Sequence, residues 1–71
     1  METMDIIIDS QLNMLKEYFQ SNISAEDEKL IIEQRDKLID LLAPYFGTND
    51  KERFELALRI EKRFEEELGV S

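Results

Sequence analysis

Strong helix breakers are almost absent from this chain: one proline, Pro44, and two glycines, Gly47 and Gly69. Helices should therefore dominate, with one interruption near the middle and one stop near the end. The apolar spacing agrees. Ile8, Leu12, Leu15 and Phe19 follow one another at four, three and four residues, with Met14 and Tyr18 on the flank, which predicts a first helix over roughly 5–20. Its start is open between Asp5 and Asp9, because the β-branched run Ile6, Ile7, Ile8 forms helix weakly and Asp5, Asp9 and Ser10 can each act as N-cap.

Ser24, with Asp27 three residues on and Ile23 just ahead, opens a second helix over roughly 25–43. Pro44 removes an amide donor and clashes with the preceding turn, so this helix should end or kink near Leu42 or Ala43. Asn49 followed by Glu52, and Gly69 after Leu68, bound a third helix over roughly 50–68. Its stripe is Leu56, Ala57, Ile60, Phe64 and Leu68, widened by Phe54 and Leu58.

Three amphipathic helices with short connections describe an all-α fold, a small three-helix bundle, in a single domain over residues 1–71. In the second helix Ile31, Ile32, Leu38, Ile39 and Leu42 share one broad arc, while Leu30 and Leu41 lie on a different side. A helix apolar on two sides is buried on two sides, so a homodimer is expected, with Leu30 and Leu41 at its interface. Arg35 falls inside the broad arc. It either lays its methylenes on the core and sends its guanidinium to the rim, or pairs with a carboxylate across the dimer interface.

The chain has no Cys and no His. Disulfides, thiolate sites and imidazole ligands are thereby excluded, and Ser10, Ser21, Ser24 and Ser71 have no histidine to activate them. They sit near predicted helix ends, where capping accounts for them. A carboxylate pair or a Mg²⁺ site would need a concave pocket, which a bundle of this size rarely holds. The expectation is a non-enzymatic protein without cofactor or metal. The opening METMDIIIDSQ has no basic n-region, and no apolar run could span a bilayer, so a cytoplasmic protein without membrane contact is expected.

Charge carries the remaining information. Seventeen acids against nine bases give a formal net charge of -8, which disfavours direct nucleic-acid binding and favours a basic partner. Glu26, Asp27 and Glu28, like Asp50 and Glu52, stand in first turns, where a carboxylate stabilises a helix by ~0.3–1 kcal/mol. Two other sets lack that reason. Glu61, Glu65, Glu66 and Glu67 crowd the last turns of the third helix, where cations are preferred, and Glu61 has no base three or four residues away. Glu33, Asp36 and Asp40 line one side of the second helix. Carboxylates four apart on a helix advance ~6 Å along its axis, a spacing that suits a phosphate-binding surface.

In composition over the whole chain, with EQRDKLID and RFEEELGV as its acidic helices, the sequence resembles the small acidic DNA-mimic and host-takeover proteins of bacteriophages. Among these is an inhibitor of the bacterial histone-like protein HU from large Bacillus phages. The resemblance implies a non-enzymatic, often dimeric inhibitor in the cytoplasm of a bacterial host cell. It would bind a basic DNA-binding protein, such as an HU-like nucleoid protein or a transcription protein, and displace its DNA. Glu33, Asp36, Asp40, Glu61, Glu65, Glu66 and Glu67 are then the expected contacts. The alternative is a helical adaptor or antitoxin-like module that binds through Leu30, Leu41, Tyr45 and Phe46, with acidity serving solubility alone; a structural dimer without an outside partner is a third possibility.

Overall fold

The protein is described here by a computed structural model that covers residues 2–20 and 22–70. Helix α1 spans Thr3–Phe19, α2 spans Ala25–Phe46 and α3 spans Asp50–Leu68. No strand occurs among the described residues, and the fold is a small three-helix bundle. Two of the serines assigned to helix ends, Ser21 and Ser71, lie outside the described residues.

Each boundary has a local cause. Ser24 caps α2 reciprocally: its hydroxyl accepts from the Asp27 amide at 3.2 Å, and its own amide donates to the Asp27 carboxylate at 3.1 Å. At the start of α3 the Asn49 side chain accepts from the Glu52 amide at 2.8 Å. Glu52 does not close a reciprocal box there; its carboxylate accepts from the Asn49 side-chain amide and from the Thr48 hydroxyl instead. Gly69 ends α3 in the left-handed conformation at φ 70°, donating its amide to the Glu65 carbonyl.

Two boundaries differ from the sequence expectation. Helix α1 begins at Thr3, so neither Asp5, Asp9 nor Ser10 is its N-cap and the isoleucine run is helical. Ile8 is fully buried and Ile7 packs against the core, and that burial outweighs weak intrinsic propensity. Helix α2 passes through Pro44 to Phe46. Pro44 is exposed and only two helical residues follow it. The carbonyl of Asp40, which would have received a Pro44 amide, belongs to an exposed residue, so little is lost by leaving it to water.

The core is built from one face of each helix: Met4, Ile8, Leu12 and Leu15 of α1, Ile31, Leu38, Ile39, Leu42 and Ala43 of α2, and Leu56, Ile60 and Phe64 of α3, closed by Val70. No charged or polar residue among those described is buried. Helices α2 and α3 make the most extensive contact of the three pairs. The 22 residues of α2 make a rod of ~33 Å, which sets the long dimension of the 36 × 23 × 17 Å molecule. Gly47, between α2 and α3, is buried because α3 turns in against it; a β-carbon there would lie 2.9 Å from the Arg53 α-carbon.

Candidate protein-interaction surfaces

Three helices packed together leave three faces, one along each pair, and the faces differ in chemistry. The α1–α3 face is a ladder of ion pairs. Arg59 Nη2 reaches both oxygens of Asp5 at 2.8 and 3.0 Å and its Nη1 lies 3.6 Å from Glu2. Arg63 pairs with Asp9 and, at 3.8 Å, with Glu67. Lys16 pairs with Glu67. The rungs follow from register: Arg59, Arg63 and Glu67 recur every four residues on α3, and Asp5, Asp9 and Lys16 follow in the same order on the facing side of parallel α1. The hydrogen bond from Lys16, then its charge, holds the Glu67 carboxyl below the usual glutamate value. The hydrogen bond to Asp9 raises the Arg63 guanidinium above the usual arginine value.

The α2–α3 face brings together most of the acids singled out in the sequence. Arg35 is its centre, with a side chain only 13% exposed. Its guanidinium lies 3.2 Å from Asp36 on its own helix and 3.9 Å from Glu61 on α3. Arg35 shares a groove with Leu58, Glu61, Lys62 and Glu65, where its guanidinium sits beside carboxylates of its own chain. Further along, Asp40 pairs with Arg53 of α3. Asp36, Asp40, Glu61 and Glu65 thus converge on one face from two helices.

The other three expected contacts are placed elsewhere. Glu33 is exposed on the outer side of α2, and Glu66 is exposed on α3 away from Arg35. Glu67 faces α1 and is held by Lys16 and Arg63. The crowding of acids in the last turns of α3, which local helix rules leave unexplained, is explained for Glu61 and Glu67 by cations on neighbouring helices. Glu33, Glu65 and Glu66 have no ion-pair partner among the described residues. Among those residues, too, no group of three or more carboxylates is arranged to hold a metal ion.

The α1–α2 face carries no ion pair between its helices. Met14 and Tyr18 of α1 and Leu30 and Gln34 of α2 line a shallow groove of about 340 Å³ floored by Leu15 and Phe19. Leu41 and Tyr45 continue the Leu30 side of α2 by three and four helical turns. These five large apolar side chains are between 49% and 78% exposed. Leu30 and Leu41 are therefore outside the monomer core, on the side of α2 away from α3. Phe46, at the end of α2, points instead into a groove with Met4, Leu56 and Arg59.

No described helix is long and apolar enough to cross a membrane. Comparison with protein-family models, with curated proteins and with solved structures finds no match in any of the three.

Proposed function

We propose that the protein is a non-enzymatic binding protein whose acidic α2–α3 face docks on the nucleic-acid-binding surface of a basic protein and competes there with the nucleic acid. The observation that most supports this reading is the convergence of Asp36, Asp40, Glu61 and Glu65, from two helices, on one rigid face, in a chain of net charge -8. Arg35 and Arg53 fix three of these carboxylates in place and also neutralise part of their charge. Attraction to a partner would therefore come chiefly from Glu65, which has no ion-pair partner among the described residues, with the Arg-held carboxylates setting the spacing. The partner class that fits is a basic DNA-binding protein of the HU type.

The test is displacement of a fluorescent DNA duplex from a purified HU-type nucleoid protein. The protein should displace the duplex, and its apparent affinity should fall steeply between ~50 and ~200 mM salt. Reversing Asp36 and Glu65 to Lys should abolish displacement while leaving helicity unchanged. An affinity that ignores salt, or a reversed variant that displaces DNA as well as the parent, rejects the reading.

A second reading, a helical adaptor that binds through apolar surface, is supported by the exposure of Leu30, Leu41 and Tyr45. Polar substitution of Leu30 and Leu41 separates the two: it removes an adaptor's partner and leaves DNA displacement intact.

A further inference from the structure

We infer that the α1–α2 face is covered by a second copy of this chain, with α2 packed antiparallel to the partner's α2. The inference stands apart from the acidic-face reading, since it uses a different side of the molecule.

Charge selects the occupant. The chain carries a net charge of -8, so two copies repel when they meet by most routes. The strip formed by Met14, Tyr18, Leu30, Gln34, Leu41 and Tyr45 contains no carboxylate, and five of its six side chains are large, apolar and exposed. A basic partner would gain nothing from a strip without acids, whereas a second acidic copy can approach by it without opposing carboxylates. From Leu30 to Tyr45 the strip runs ~22 Å along α2. A standard interface removes ~800 Å² from each partner, roughly a sixth of this protomer's 5025 Å², which two flanking helices can supply.

The sequence of α2 is self-complementary about its middle. Leu30 and Leu41 are equidistant from a point between Arg35 and Asp36, so a two-fold axis there sets Leu30 on the partner's Leu41 and, by symmetry, Leu41 on the partner's Leu30. The same axis preserves the flank of the helix. It brings Lys37, on the outer edge of the strip, to within one residue's rise, ~1.5 Å along the axis, of the partner's Glu33. Both side chains are without an ion-pair partner among the described residues of the single chain. An antiparallel contact in this register thus buries apolar against apolar and pairs opposite charges twice.

Sedimentation velocity on the protein alone, over ~1–100 µM, should give a dimer. Leu30→Lys and Leu41→Lys should each weaken it by ~30-fold or more, with the circular dichroism of the monomer unchanged because both side chains are outside its core. Lys37→Glu and Glu33→Lys, each alone, should weaken self-association, and mixing the two variants should give heterodimers in excess of the statistical fraction. Glu33 and Lys37 are also four residues apart on one helix, and only an intermolecular pair can produce that excess. A monomer at every concentration overturns the inference, as does a dimer that survives Leu30→Lys. A mixture without heterodimer preference overturns the antiparallel register. None of these results bears on DNA displacement, which is read at Asp36 and Glu65.

Discussion

Two single positions carry backbone constraints that packing diagrams do not display. Gln20 ends α1 with φ 53° and ψ -128°, a region that a residue with a β-carbon enters at a cost and glycine enters freely. Gln20→Gly should therefore stabilise the protein by ~0.5–1 kcal/mol, read from urea unfolding, although most glycine substitutions destabilise. Gly47 is the converse. Its φ of -142° is ordinary, so conformational freedom is not why it is glycine; the Arg53 α-carbon leaves no room for a methyl group. Gly47→Ala should destabilise by ~1–3 kcal/mol by forcing α2 and α3 apart. Neither property could be read from sequence. Gln20 gives no signal of a positive φ, and a glycine between two helices announces a turn without saying what passes behind it.

At the scale of the helix, caps and stripes were legible and partners were not. Ser24 with Asp27, Asn49, Gly69 and the α3 stripe of Leu56, Ala57, Ile60, Phe64 and Leu68 could be assigned because their causes lie within one turn of the residue concerned, whereas Phe54 and Leu58, expected to widen that stripe, are exposed. Pro44 misled because the cost of a proline depends on whether the orphaned carbonyl meets water, which is a tertiary matter. Met4 and Val70 join the core from beyond the predicted periodic stretches. The acids of α3 were the largest gap. Like-charge crowding within the helix was visible, but the relief of Glu61 by Arg35 and of Glu67 by Lys16 requires knowing how three helices are rotated against one another. Glu67 gives this a measurable form. Its carboxyl titrates below the usual value of 4.5, so the folded state is favoured above that pH and the advantage fades as pH falls towards the folded value. Glu67→Gln should melt at a lower temperature than the parent at pH 7, and the two curves should converge once both carboxyl states are protonated. A difference independent of pH would mean that Glu67 acts through packing instead.

For the whole molecule, the three faces divide the labour that the sequence presented as one undifferentiated surplus of acid. One face consumes its carboxylates in holding α1 to α3, one gathers them beside α2, and one excludes them. Every ion pair between helices has one end on α3: Asp5, Asp9 and Lys16 reach it from α1, and Arg35 and Asp40 reach it from α2. No ion pair joins α1 to α2 among the described residues, and the groove between them is lined mainly by apolar side chains. The two kinds of seam answer to different conditions, because protonation and salt weaken ion pairs and leave hydrocarbon contacts nearly untouched. Mild acid with added salt should accordingly loosen α3 first, with amide exchange rising at Ile60 and Phe64 before Ile8, Leu12 and Ile31; equal rates throughout would show that the bundle opens as one unit. If the bundle does open in stages, the α1–α2 hairpin is the piece that keeps its shape, so that self-recognition through its outer strip could outlast the loss of the acidic face.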